Sequence, residues 1–85
     1  MEQIHDYLME AYYSVRYNQP LEARRYLGCA AALIRKLEPT PELKNLFWNI
    51  HYIRDSIEAL WPQTREHCME RVSGQVRKVS EWRIA

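Results

Sequence analysis

The chain has 85 residues, 47% hydrophobic, 12% aromatic and 27% charged, with a formal net charge of +1 at pH 7. That length accommodates one domain, spanning residues 1–85, and no second core. A balance so near neutrality excludes strong nonspecific binding to nucleic acid or anionic membrane, which needs a clear basic excess.

The charges are nonetheless uneven. Residues 1–61 carry seven Lys/Arg against eight Asp/Glu, and residues 62–85 carry five against three. The two cysteines, Cys29 and Cys68, sit among apolar residues and are too few for a secreted disulfide scaffold, so both are expected reduced and packed. The N-terminal Met-Glu-Gln-Ile-His-Asp lacks the basic-then-apolar layout of a signal peptide. No apolar run approaches the roughly 20 residues that span a bilayer. These features point to a soluble, cytoplasmic protein with no membrane partner.

The spacing predicts a first helix over 2–17, with Ile4, Leu8, Ala11, Tyr12 and Val15 inward and Glu2, Asp6 and Glu10 as an outer acidic stripe. Acidic groups near a helix start suit its dipole. Tyr17-Asn18-Gln19-Pro20 ends it, because proline disfavours helical geometry before it and is accepted at the first position of the next helix.

A second helix is predicted over 20–37. Leu27, Ala30, Ile34 and Leu37 form one stripe, and Tyr26, Ala30, Leu33 and Leu37 an overlapping second. A helix apolar over that much of its girth is expected to be covered from more than one side, as the central helix of the bundle. Glu22 can pair with Arg25, and Arg24, Arg25, Arg35 and Lys36 are expected to face water. In Glu38-Pro39-Thr40-Pro41-Glu42, Pro39 stops the helix, Thr40 caps the next, Pro41 takes its first position and Glu42 its first turn.

The third helix, over 41–61, has the cleanest pattern: Leu43, Leu46, Phe47, Ile50, Ile53, Ile57 and Leu60 recur at three- and four-residue steps. Trp48, Tyr52 and Trp61 lie off that stripe, and Pro62 follows. The fourth, over 63–82, is weaker. Cys68, Val72, Val76, Val79 and Trp82 make its stripe, Gly74 weakens it, and Arg65, Arg71, Arg77, Lys78 and Arg83 decorate it. All connections are short, so the expected fold is an all-α antiparallel bundle of about four helices.

Over Tyr12 to Ala30 the chain reads Tyr-Tyr-x3-Tyr-Asn-x-Pro-x-Glu-Ala-x2-Tyr-Leu-x2-Ala, which resembles the helix pair of a tetratricopeptide repeat. The resemblance implies two antiparallel helices locked by small and aromatic residues. It covers less than a quarter of the chain, lacks the terminal proline and is not repeated in the second half. What it carries over is the helical hairpin.

Little of the sequence suggests chemistry. Glu2 and His5 have a Glu-x-x-His spacing, but a di-iron bundle needs a second such pair and two more inward glutamates. His51 and Asp55 lie at i, i+4, and adjacent His67 and Cys68 would diverge by about 100° on a helix. There is no glycine-rich phosphate loop, no Gly-x-Ser-x-Gly turn and no third group to orient a Cys-His pair. No metal, no cofactor and no enzymatic activity are expected.

The aromatic surplus carries the functional expectation. Six tyrosines, three tryptophans and a phenylalanine exceed what so small a core absorbs, and Tyr, Trp, Met and Arg are the residues that interfaces favour. Met9, Tyr13, Arg16 and Tyr17 on the first helix form one candidate partner-binding patch, and Trp48 and Tyr52 on the third form another. The expected function is docking on another protein, with self-association into a homo-oligomer. A small bacterial or phage regulator, an inhibitor and an assembly factor all fit. The alternative is a nucleic-acid-binding regulator using Arg71, Arg77 and Lys78, although Glu66, Glu70 and Glu81 interrupt that basic face.

Overall fold

The computed structural model describes residues 2–84; the expected core position Leu60 and the expected surface position Arg83 have side chains outside the described set. Four helices follow one another: α1 (Glu2–Arg16), α2 (Pro20–Arg35), α3 (Pro41–Leu60) and α4 (Arg65–Ile84). They pack as a closed ring in which α1 touches α2 and α4, α3 touches α2 and α4, and the diagonal pairs do not meet. The α1/α2 seam is the most extensive and the α3/α4 seam the thinnest. The radius of gyration, 11.9 Å, is that of a compact domain of this length.

The expected all-α antiparallel bundle is therefore the fold. Each helix turns inward a stripe at four- and three-residue steps: Ile4, Leu8, Ala11 and Val15 on α1, and Ala23, Leu27, Ala30 and Ile34 on α2. On α3 the stripe is Leu46, Ile50, Ile53 and Ile57, and on α4 it is Cys68, Val72, Gln75 and Val79. The repeat is that of coiled-coil-like packing, which favours small crossing angles. Burying these mostly aliphatic side chains is worth about 1.5–3 kcal/mol for each larger one.

Helix ends depart from the expected bounds for identifiable reasons. Asn18 adopts φ 63° just beyond α1, a left-handed conformation that Asn tolerates. The Asn18 N–H donates to Val15 O at 3.1 Å and the Gln19 N–H to Ser14 O at 2.7 Å, which closes the helix at Arg16 instead of residue 17. At the end of α2, Lys36 and Leu37 donate to Leu33 and Ile34 through tightened three-residue bonds. Leu37 thus leaves the helical stripe and is 41% exposed, contrary to its expected inward place.

The start of α3 follows the sequence reading: the Leu43 N–H donates to the Thr40 hydroxyl at 3.1 Å, with Pro41 next in line. Residues 61–64 form a turn, so α3 ends at Leu60, and α4 begins at Arg65 instead of residue 63 and runs two residues past 82. The Trp61–Pro62 peptide is cis. The Cys68 N–H donates to Thr64 O at 2.8 Å, and the Thr64 hydroxyl donates to Ser56 O at 3.0 Å, which ties the turn to α3.

Three expectations about the interior change. The helix α2 is one of the four sides of the ring and not a central element; Leu21 and Ala32 on it are exposed. Ser14, not Tyr12, completes the α1 stripe, and its hydroxyl donates back to Glu10 O at 2.8 Å. Gln75, not Val76, takes the inward position on α4: it is 5% exposed and its Oε1 has no hydrogen-bond partner. Arg24, expected to face water, lies half-buried along the α2/α3 seam, 3.2 Å from Glu58. The expected Glu22–Arg25 pair forms at 2.6 Å.

Arg65 joins the start of α4 to the end of α1. Its guanidinium donates to Val15 O at 3.2 Å and also to Arg16 O, the last carbonyls of α1, while Trp61 Nε1 donates to Asn18 Oδ1 at 3.1 Å. A cation there adds a donor to terminal carbonyls of α1 and opposes the negative end of the helix dipole. Arg65→Ala should cost about 1–3 kcal/mol in urea denaturation, with Arg65→Lys recovering only part, since lysine cannot fork across two carbonyls. Neutral behaviour of both variants would refute this role.

At Gly74 an added Cβ meets nothing within 4 Å. Gly74→Ala should therefore stabilise the fold by about 1 kcal/mol and raise the melting temperature by about 4–8 °C. A lower melting temperature would contradict the open space around this position.

Candidate interaction surface

All ten aromatic residues are described, and none is buried. Tyr7, Tyr12, Tyr26, Phe47, Trp61 and Trp82 lie half-buried against the aliphatic core. Tyr13, Tyr17, Trp48 and Tyr52 are exposed, by 42%, 65%, 69% and 49%. The cause is geometric: the inward positions are filled by small and aliphatic residues, so rings at other positions of the helical repeat point to its flanks and outside.

The residues expected on the first helix come together. Tyr13 stacks on Tyr17 with ring centroids 6.4 Å apart and planes 16° from parallel, and the Arg16 guanidinium lies 6.0 Å from the Tyr17 ring. Met9, Tyr12, Tyr13 and Arg16 line one wall of a groove of about 220 Å³, with Ser73 and Val76 of α4 opposite.

Trp48 and Tyr52 are one turn apart on α3 but serve different seams. Trp48 stands at a mostly apolar groove, also about 220 Å³, at the untied end of α2 and α3. Its other walls are Ile34, Leu37, Pro39, Leu43 and Phe47, with Arg35 and Lys44 at the edges. Phe47 packs edge-on to Trp48 at 5.7 Å and to His51 at 4.5 Å. Tyr52 instead leans toward α4, where its hydroxyl is 3.4 Å from His67 Nε2 and the Arg71 guanidinium is 5.1 Å from its ring.

Leu37, Phe47 and His67 were not among the expected site residues. Leu37 and Phe47 read as core by their spacing; a helix that stops two residues early and a groove wall that is only half covered place them at the surface. The Tyr52–His67 contact joins residues 15 apart in the chain and has no local signal.

The three cations of the nucleic-acid alternative divide between two sides of α4. Arg71 and Lys78 face α3, the first over Tyr52 and the second beside Glu42, Asn45, Leu46 and Trp82. Arg77 lies outward, seven residues after Glu70 and four before Glu81, within the same helical face. Among the described residues no three His, Cys, Asp or Glu side chains cluster, and no helix is long and apolar enough to cross a membrane. His67 is exposed while Cys68 is fully buried, so the adjacent pair diverges.

No family model, no curated protein and no solved structure matches this chain.

Burial pushes the Cys68 thiol above its ordinary range, against a smaller opposing effect of a hydrogen bond with Thr64. An unfolded thiol ionises near pH 8.5. Between that value and the raised one the unfolded chain binds fewer protons, so this contribution is full below about 8.5 and is lost as pH rises through the window. Wild-type stability should fall more than that of Cys68→Ala between pH 7 and about 9.5 in urea titrations. Parallel curves would show that the thiol is not responsible.

Proposed function

We propose that this chain is a non-enzymatic protein-interaction module of the cytoplasm, a small regulator, inhibitor or assembly factor that docks an aromatic and arginine-bearing face on another protein. The observation that carries the reading is the exposure of Tyr13, Tyr17, Trp48 and Tyr52, with Tyr13 and Trp48 each lining a groove. Large rings bury much area at little entropic cost, and Arg16 and Arg71 against them supply charge in a fixed orientation. Single exposed hydrophobic residues are ordinary on a soluble domain, and it is the pairing of the exposed rings with grooves and with arginine that supports the reading. Two free cysteines, Cys29 and Cys68, suit a reducing compartment.

The test is capture of partners by the immobilised chain from an extract of the organism that encodes it. Tyr13→Ala/Tyr17→Ala and Trp48→Ala/Tyr52→Ala variants serve as comparisons. Tyr13, Tyr17 and Trp48 are exposed and, among the described residues, make no ring or hydrogen-bond contact across a helix seam, whereas Tyr52 touches His67 and Arg71. Circular dichroism therefore checks the fold of each variant, and Trp48→Ala alone replaces the second pair if that pair is perturbed. Specific capture lost in one or both variants supports the reading, and equal capture by all three chains overturns it. A parallel titration with duplex DNA covers the alternative. Tight binding that weakens steeply with salt and vanishes in Arg71→Ala/Lys78→Ala would move the function to nucleic acid.

A further inference from the structure

The outer faces of α1 and α3 carry charge sequences of opposite sign. Along α1, Asp6, Glu10, Tyr13 and Tyr17 are all exposed at steps of four, three and four, with Arg16 beside the last ring. The face therefore runs from two acids to paired rings, with the Arg16 cation flanking the rings. Along α3, Lys44, Trp48, Tyr52 and Asp55 are all exposed at steps of four, four and three, and Arg35 adds a second cation at the Lys44 end. This face runs from cation past Trp48 and Tyr52, one turn apart, to an acid.

The charged groups concerned are available. Glu10, Lys44 and Asp55 have no ion pair among the described residues, and Asp6 has only the His5 ring at 3.5 Å. Glu42, the acid nearest Lys44 in sequence, lies on the Trp82 side of α3. At 1.5 Å per residue the charged and ring-bearing parts of each stripe are about 10 Å apart. The two patterns thus match in sign and, from the first charges to the rings, in spacing.

We propose that the occupant of the Trp48 face is a second copy of this chain, with its α1 stripe laid parallel on the α3 stripe. This rests on the reading of the exposed rings as an interface and names the partner for that site. In the parallel arrangement Asp6 and Glu10 meet Lys44 and Arg35 and the tyrosine pair meets Trp48 and Tyr52, while Arg16 falls about one helical turn short of Asp55. The antiparallel arrangement sets Asp6 and Glu10 against Asp55 and Arg16 against Lys44, so like charges reject it. A net charge of only +1 leaves little overall repulsion between copies. Since the two stripes lie on diagonal helices, the contact is heterologous: each copy offers one face and receives on another, giving a ring or an open chain.

Sedimentation of the full chain over a range of concentrations, at low and high salt, tests this with Glu10→Lys, Lys44→Glu and the double variant. Wild type should associate with concentration and less so at high salt. Each single reversal should raise the half-association concentration about tenfold or more, and the double variant should return toward wild type. Circular dichroism confirms that the exposed substitutions leave the fold intact. A wild-type monomer at millimolar concentration, or a double variant as weak as the singles, overturns the proposal. A monomer that still captures another protein through Tyr13 or Trp48 overturns this proposal alone and leaves the interface reading intact.

Discussion

The narrowness of the interior decides most of what this molecule presents to its surroundings. Opposite Ile4, Leu8 and Val15 of α1, the helix α2 turns Ala23, Ala30 and Ala31 inward, and these small residues let the two helices pack over the most extensive seam. Close-packed interiors accept no ring where a methyl group fits. With the largest fully buried side chains all aliphatic or Cys68, every one of the ten aromatic residues is pushed to a flank or outside. The surface rings are thus a consequence of how closely the helices approach, and the grooves lie where half-buried rings bridge two helices.

The two ends of the bundle differ for reasons that lie in their loops. At one end, Arg65, Trp61 and Thr64 tie the α3–α4 turn to the terminal carbonyls of α1, to Asn18 and to Ser56. At the other, Pro39 and Pro41 bracket a loop whose described side-chain bond is the local Thr40 cap. Proline removes two backbone donors there, so the loop is held by stiffness instead of cross-links. The Trp48 groove opens at this second end, bordered by Leu37 released from α2 and by the first turns of α3.

Much of the architecture was legible because aliphatic spacing at threes and fours depends only on neighbours within a turn or two. The stripes of α1 and α3, the Thr40 cap and the Glu22–Arg25 pair all follow from such local rules. What the chain concealed is non-local or contrary to residue type. Nothing near Gln75 announces that an amide takes a core position, and Ser14 hides in the same way behind a bond to its own helix. Arg65 looks like surface decoration until α1 is packed 50 residues away. The candidate site was legible as residue types and as two patches. That Trp48 and Tyr52 turn to different seams was not, since it depends on which helix each ring meets.

Gln75 also bears on why α4 is the least self-sufficient side of the ring. Its Oε1 is buried without a partner, a cost of about 1–3 kcal/mol that the surrounding valines must offset. The same helix carries Gly74 in its middle and shares the thinnest seam with α3. Cation–π contact of Arg71 with Tyr52 and the Tyr52–His67 contact are the polar links across that seam among the described residues. Tyr52 therefore has two physical roles, one as an exposed ring and one as the fastening of α4 to α3. A partner that drew on the ring alone would loosen this seam, whereas one that covered the ring together with Arg71 would shield the contact from water and strengthen it. The second arrangement costs the fold less, because the ring keeps its contacts with Arg71 and His67 while it is covered.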